Sequence, residues 1–269
     1  MITVTSADGA TIAVDRSGSG PALVLVDGAF CGRAFGPMPA LAKVLAPHFT
    51  VYHYDRRGRG DSGNTMPYAP EREIEDLDAV IEAAGGSAYV HGTSSGAMLA
   101  LRATAALPGR ITKLAVYEPP LLVDSSRTAP PADYLARIDR MLAEGRNADV
   151  VKFFMVTMVG APAFVPLMLK VLPAGKKLNA MAPTLPYDLA QLGDTQQGAG
   201  LPDELMKVLA SIDVPTWVGD DGKSPQWMHS GVRAVADHVS GAQHVTLAKQ
   251  THQVKAGVIG SALIEFLGA

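Results

Sequence analysis

Apolar residues follow two patterns along this chain, and the two patterns alternate. Continuous apolar runs predict strands buried on both faces of a parallel sheet, whereas apolar residues at helical spacing predict helices that cover it. The predicted strands are residues 2–6, 11–15, 22–26, 49–54, 87–92, 113–117, 214–218 and 243–247. The first two flank Asp8-Gly9, a dipeptide suited to a hairpin turn, so we predict two edge strands there. The alternation predicts an α/β fold with a mostly parallel eight-stranded sheet flanked by helices.

The pattern changes between the sixth and seventh predicted strands. Helical stretches such as residues 134–143 and 148–159 occur there between prolines, without a buried-strand run. We therefore predict a helical insertion at residues 125–210, within a core domain formed by residues 1–124 and 211–269. Its large apolar side chains, which we expect mostly to form its own core, are Phe153, Phe154, Met155, Met158, Phe164, Met168, Leu169 and Met181.

Composition narrows the function classes. The chain has 269 residues, of which 48% are apolar, and no apolar run long enough to cross a bilayer. Its first residues lack the features of a secretory signal, so we expect a soluble cytoplasmic protein. The single cysteine, Cys31, excludes an internal disulfide and a cysteine metal cluster, and we expect neither metal nor cofactor. A net charge of −3 without a basic stripe argues against nucleic acid and membrane partners and favours a small-molecule ligand.

Ser94 occupies the most informative position in the sequence. Gly92, Ser94 and Gly96 form a G-x-S-x-G pattern between a predicted strand and a helix rich in Ala and Leu. A serine at so sharp a turn needs small neighbours, which these glycines supply. The alternative is a turn serine that only caps the helix. The strand, turn and helix resemble the nucleophile turn of the α/β-hydrolase superfamily, and this resemblance implies that Ser94 is a nucleophile and that the Ser95 amide belongs to an oxyanion hole.

Two further segments carry the same resemblance. Residues 55–62 follow the pattern D-x-R-G-x-G-x-S, which in the superfamily shapes a tight loop near the active site. We interpret its arginines as structural, through ion pairs within the loop and contacts to carbonyls. After the third strand, Asp27-Gly28 stands where the family usually has His-Gly, which implies the Ala29 amide, or alternatively that of Phe30, as an oxyanion donor. Asp27 is either a turn residue or a polar group that orients the substrate.

A nucleophilic serine needs a base and an acid that orients the base. His252 lies between the last strand and the final helix, where the family places its histidine. We interpret His91 as a packed strand histidine, and His53 as partly exposed. The resemblance also implies a cap in the helical insertion, which would close over the site.

The acid departs from the common family pattern. Its usual position after the seventh strand holds Ser224, with Asp220 and Asp221 a few residues earlier. Some haloalkane dehalogenases of the superfamily instead take the acid from the end of the strand before the cap, and Glu118 occupies that place. An ionised glutamate ending a buried strand needs a partner, since leaving it unpaired costs several kcal/mol. We favour Glu118, with Asp220, Asp221 or no acid as the alternatives.

These residues predict a serine hydrolase that cleaves a small to medium hydrophobic ester, thioester or lactone through an acyl-enzyme. Carbon–carbon bond hydrolysis is also compatible with this site. The expected substrate pocket comprises Asp27, Phe30, Phe154, Met155 and Met158. The alternative is a lyase, a cyclase or a pseudoenzyme that uses the same pocket, because Asp27 and Ser224 are atypical.

Overall fold

A computed structural model describes residues 1–162, 164, 165, 168 and 172–268. Its sheet has eight strands in the order β1-β2-β4-β3-β5-β6-β7-β8, which confirms the predicted sheet. The strands are β1 Ile2–Thr5, β2 Thr11–Ser17, β3 Ala22–Val26, β4 Thr50–Tyr54, β5 Ala88–Thr93, β6 Ile111–Tyr117, β7 Thr216–Asp221 and β8 Gln243–Leu247. Strand β2 runs antiparallel to both of its neighbours, whereas β3 to β8 pair in parallel.

The prediction that the first two strands are both edge strands is wrong for β2. This strand pairs with β4 as well as with β1, so only β1 lies at that edge. The reason is visible in its burial, because Ile12, Ala13 and Val14 are all buried in succession. Three consecutive buried residues show that both faces of the strand are covered, as in an interior strand.

Helices cover the sheet on two sides. The helices of the core are α1 Met38–Leu45, α2 Pro70–Ala83, α3 Ser95–Ala106, α9 Gln226–His238 and α10 Ala256–Leu267. Buried side chains of α1 and α10 share one apolar cluster with one face of the sheet, and those of α2, α3 and α9 share a second cluster with the other face. The result is the three-layer arrangement expected of a parallel sheet.

The segment between β6 and β7 consists of helices and the turns and loops that connect them, with no strand among its described residues. It contains α4 Tyr134–Ala143, α5 Asn147–Phe153, a π-helical turn Phe154–Met158, α6 Pro173–Met181, a 3₁₀ turn Ala182–Thr184, α7 Leu185–Leu192 and α8 Asp203–Ala210. Phe164 and Met168, which were expected mostly to pack inside this segment, are exposed. Leu169 lies outside the described residues. None of the helices in the described part of the chain has the length and apolar character needed to span a membrane.

The parallel strands bring the candidate residues together. Asp27, Ser94 and Glu118 directly follow β3, β5 and β6, which are neighbours in the sheet. Since the carboxyl ends of parallel strands lie at one edge, the loops that follow them form a common crevice there.

Candidate active site

Ser94 lies at a strained turn between β5 and α3. Its backbone angles are φ 57° and ψ −126°, a conformation that residues with a side chain rarely adopt. The Ser94 amide donates to the carbonyl of Tyr117 at 2.9 Å, which fixes the turn to β6. A Cβ on Gly96 would lie 2.4 Å from the Val26 carbonyl oxygen, so α3 can approach β3 this closely only with glycine there. Ser94 is half-buried and lies at the carboxyl end of β5.

Glu118 and His252 meet at the same edge. Nδ1 of His252, in the loop between β8 and α10, lies 2.5 Å from Oε2 of Glu118. The Glu118 side chain is fully buried, whereas that of His252 is 43% exposed. Glu118 has a φ of 48°, and its amide donates to the Gly219 carbonyl at 2.9 Å, so its backbone is tied to β7. Within the described chain, the other imidazole nitrogen, Nε2, is not hydrogen-bonded to Ser94 or to any other side chain.

Ser224 supports Glu118 from the side opposite the histidine. Its hydroxyl lies 2.6 Å from Oε1 of Glu118 and 2.7 Å from Oδ2 of Asp221. The Asp221 amide adds a longer contact of 3.3 Å to Oε1 of Glu118. Burial opposes ionisation of Asp221, but hydrogen bonds from the Ser224 hydroxyl and from backbone amides hold the pKa of Asp221 below its ordinary value. The residue at the usual position of the acid therefore binds the acid candidate.

The two alternative acids are engaged elsewhere. Oδ2 of Asp220 lies 2.7 Å from Nδ1 of His229 and 3.3 Å from Nε2 of His244. Asp221 contacts Ser224 and the backbone of Lys223. In the part of the chain that the structure describes, neither aspartate is hydrogen-bonded to His252.

The loop after β3 lies directly against Ser94. A Cβ on Gly28 would be 3.0 Å from the Ser94 Cβ, so the loop backbone flanks the nucleophile candidate. Within the described chain, the Ala29 amide donates to no hydrogen bond. Ser95 is the first residue of α3, where an amide has no intrahelical acceptor. Phe30 is buried and has a φ of 57°.

Asp27 is buried and bonded to a histidine. Its Oδ2 lies 2.9 Å from Nε2 of His53, and its other carboxylate oxygen has no hydrogen-bond partner among the described residues. Burial raises the pKa of Asp27, although the hydrogen bond from His53 opposes this shift. His53 is 4% exposed, so the expectation that it is partly exposed is wrong. The sequence missed this pair because its partners come from different strands: Asp27 directly follows β3, and His53 lies in β4.

The arginines of residues 55–62 are structural, but their partners differ from those expected. Arg57 pairs with Asp76 on α2 at 2.7 Å, and Arg56 pairs with Glu73 on the same helix at 2.6 Å. Arg59 pairs with Asp188 on α7 at 2.5 Å. These carboxylates lie outside the loop, so the predicted ion pairs within the loop are wrong for these three arginines, while Arg59 does bind a carbonyl, that of Gly28.

The predicted pocket residues are partly brought together. The rings of Phe30 and Phe154 pack with centroids 5.2 Å apart. Phe154, Met155 and Met158 belong to the π-helical turn, and Met158 is buried while the other two are half-buried. The turn thus contacts the loop that follows β3. In the described residues, no three His, Cys, Asp or Glu side chains are placed to hold a metal ion.

A family model and solved structures of known proteins both match this chain. Residues 23–254 match the model of the alpha/beta hydrolase family. The crystal structure of an alpha/beta hydrolase from Sphaerobacter thermophilus DSM 20745 is 50% identical, with a TM-score of 0.91 over 99% of this chain and 100% of that one. The enol-lactonase from Burkholderia xenovorans LB400 is 19% identical and shares the fold, with a TM-score of 0.71 over the full length of both chains.

A curated relative is similar over a shorter stretch. The uncharacterized hydrolase YraK of Bacillus subtilis (strain 168) is 34% identical over 118 residues. The matched stretch covers 42% of this chain and 43% of the relative, which is less than half of either protein.

Proposed function

Since the chain belongs to the alpha/beta hydrolase family, we propose that this hydrolase is a serine enzyme that cleaves small to medium hydrophobic esters, thioesters or lactones. In the proposed first step, Ser94 attacks the acyl carbon while His252 accepts its proton. Glu118 holds the imidazole in the tautomer that has its free nitrogen toward Ser94 and stabilises the imidazolium that forms. The amides of Ala29 and Ser95 stabilise the charge that develops on the acyl oxygen. The tetrahedral intermediate collapses as His252 gives its proton to the departing alcohol or thiol, which leaves the acyl group on Ser94. Water, activated by the same histidine, then attacks the acyl-enzyme and releases the acid and the free serine.

The contact between Glu118 and His252 is the observation that carries this proposal. A carboxylate that is fully buried requires a partner, and the histidine supplies one at 2.5 Å, at the end of β6, the strand to which the Ser94 amide is hydrogen-bonded. The alternative, which the atypical residues Asp27 and Ser224 suggest, is a non-hydrolytic or ligand-binding protein such as a lyase, a cyclase or a pseudoenzyme. Ser224 favours the hydrolase, because its hydroxyl binds Glu118 instead of leaving the acid position without a role.

A fluorophosphonate probe tests the nucleophile. We expect Ser94 of the native protein to be labelled rapidly, and the Ser94→Ala variant to remain unlabelled. Ser126→Ala, which removes an exposed serine, is the matched control and keeps the labelling of the native protein. Absence of labelling in the native protein would contradict the serine mechanism and favour the ligand-binding alternative.

A substrate panel tests the reaction. We expect turnover of p-nitrophenyl esters of short and aryl acids, and the panel includes thioesters and lactones because an enol-lactonase shares the fold. Acid quenching during turnover should give a protein heavier by the mass of the acyl group, with the added mass on the peptide that contains Ser94. Turnover without such an adduct, when deacylation is slowed at low pH, would argue against the acyl-enzyme.

A further inference from the structure

A buried carboxylate from the segment between β6 and β7 contacts residues that hold the proposed oxyanion hole. Asp188, on α7, is 2% exposed. One of its oxygens lies 2.6 Å from Nη1 of Arg56 and 2.7 Å from the Ser95 hydroxyl. The other lies 2.5 Å from Nη2 of Arg59. Asp188 therefore joins α7 to the first residue of α3 and to two arginines of the loop after β4.

The same arginines bind the loop that follows β3. Nη1 of Arg59 donates to the carbonyl of Gly28 at 2.8 Å, and Nη1 of Arg56 donates more weakly to the carbonyl of Asp27 at 3.3 Å. The carbonyl of Gly28 and the amide of Ala29 belong to one planar trans peptide, in which C=O and N–H point in opposite directions. When Arg59 fixes the Gly28 oxygen, it therefore also fixes the direction of the Ala29 N–H.

The second proposed oxyanion donor, the Ser95 amide, is held through the hydroxyl of the same residue. The Ser95 hydroxyl donates to Asp188, and Nη1 of Arg56 lies 3.3 Å from the same hydroxyl oxygen. The position of the Ser95 backbone at the start of α3 is thus coupled to the same carboxylate that orients Arg59. Both candidate oxyanion donors depend on one buried ion-pair network.

Charge balance shows why Asp188 is needed. Arg56 has a second carboxylate partner in Glu73, whereas Asp188 is the only carboxylate that pairs with Arg59 within the described chain. Burial opposes ionisation of Asp188, but Arg59 and Arg56 hold its pKa below the ordinary value. Neutralising Asp188 would leave the buried Arg59 without a counter-charge. Because an unpaired buried charge is costly, the guanidinium would then move, and its hydrogen bond to the Gly28 carbonyl would be lost.

We propose that Asp188 is a positioning residue for catalysis: through Arg59, Arg56 and Ser95 it holds the two amides of the oxyanion hole in their working directions. This inference rests on the proposed serine hydrolase function. It also implies that the oxyanion hole is complete only when α7 is seated on the core, so that the segment between β6 and β7 contributes to the chemistry and not only to the enclosure of the substrate.

The test is Asp188→Asn, which keeps the shape of the side chain and removes its charge. Loss of a whole oxyanion donor costs about 100- to 1000-fold in rate, so partial misalignment should lower kcat/KM by about 10- to 100-fold. A trifluoromethyl ketone analogue forms a tetrahedral oxyanion on the serine, so its inhibition constant should rise by the same factor. The matching methyl ketone, which binds without forming the oxyanion, should bind with an inhibition constant within about twofold of that of the native protein.

Asp76→Asn is the matched control. Asp76 is a buried carboxylate that pairs with the neighbouring Arg57 at 2.7 Å, and Arg57 makes no hydrogen bond to the loop after β3 within the described chain. This variant should lose stability but keep kcat/KM and both inhibition constants. Asp188→Glu, which restores the charge on a longer side chain, should recover part of the lost rate. Equal effects of Asp188→Asn on the two ketones would overturn the positioning role.

Ser95→Ala provides a milder second variant if Asp188→Asn does not fold. It keeps the backbone amide and removes only the hydroxyl contact to Asp188. The inhibition constant of the trifluoromethyl ketone should rise about 3- to 10-fold, less than the full worth of a hydrogen bond to a charged group, because the amide donor itself remains. If the Ser95→Ala variant is active and keeps the native ratio of the two inhibition constants, the positioning role of Asp188 is overturned, but the proposed function is not. A native protein without turnover or fluorophosphonate labelling overturns the proposed function and this inference with it.

Discussion

His252 Nδ1 lies 2.5 Å from Glu118 Oε2, although these residues are 134 positions apart in the chain. The carboxylate comes from the end of β6, before the helical segment, and the imidazole comes from the loop after β8. Two further donors, the Ser224 hydroxyl and the Asp221 amide, converge on the second oxygen of Glu118. The carboxylate is therefore held on both oxygens, which fixes the plane in which it meets the imidazole.

The first prediction concerns the identity of the acid. Glu118→Gln keeps the size of the side chain but no longer stabilises the imidazolium, so we expect kcat to fall by about 1000- to 10000-fold, as a comparable change does in serine triads. Steady-state kinetics on the best ester of the panel measure the loss. Circular dichroism and thermal unfolding check that the variant remains folded.

The aspartates at the end of β7 provide the controls for this test. Asp221→Asn should lower kcat by less than about 10-fold, since within the described chain Asp221 is not hydrogen-bonded to His252 and its amide, which holds Glu118, is kept in the variant. Asp220→Asn should leave kcat within about twofold, because Asp220 pairs with His229 and His244. A larger loss in either aspartate variant than in Glu118→Gln would assign the acid to β7.

The second prediction concerns Ser224. Its hydroxyl oxygen lies 2.6 Å from Oε1 of Glu118 and 2.7 Å from Oδ2 of Asp221, so its one proton is shared between these carboxylates, and a hydrogen bond to a charged group is worth about 1.5 to 3 kcal/mol. We expect Ser224→Ala to lower kcat/KM about 10-fold, because the Glu118 carboxylate loses the donor that fixes its outer oxygen. Ser224→Thr keeps the hydroxyl and should retain most of the activity. If the Ala and Thr variants lose activity equally, packing rather than the hydroxyl explains the effect.

The sequence predicted the parts of the site that depend on local chemistry. The turn around Ser94 and the strands follow from apolar runs and glycine spacing, and the structure has the predicted eight-stranded sheet. The choice of His252 rests on the resemblance to the superfamily. The interior position of β2 could not be predicted, since it depends on which strand covers its second edge. The contacts of Asp188 are likewise invisible to local patterns, because Arg59 is 129 residues away in the chain and no motif marks α7.

His91 provides a test of buried structure away from the proposed reaction. It lies in β5 with no exposed surface, as expected of a packed strand histidine. One ring nitrogen, Nδ1, lies 3.2 Å from the Ala115 carbonyl and the other lies 3.2 Å from the Thr93 hydroxyl. Burial lowers the pKa of His91 from its ordinary 6.5 to about 4, while the hydrogen bond to Ala115 opposes the shift. The folded protein therefore holds this imidazole neutral where the unfolded chain would protonate it.

The third prediction is a stability difference that depends on pH. Between pH 6.5 and about 4 the unfolded chain binds a proton at His91 that the folded protein does not, so the free energy of unfolding should fall as the pH falls through this window. The shift corresponds to about 3 kcal/mol at its full extent. His91→Gln has no titrating group, so the difference in unfolding free energy between the native protein and this variant, measured by urea titration, should change by that amount between pH 7.5 and pH 4 in favour of the variant. A difference that is constant across this range would show that His91 is protonated equally in the folded and unfolded states.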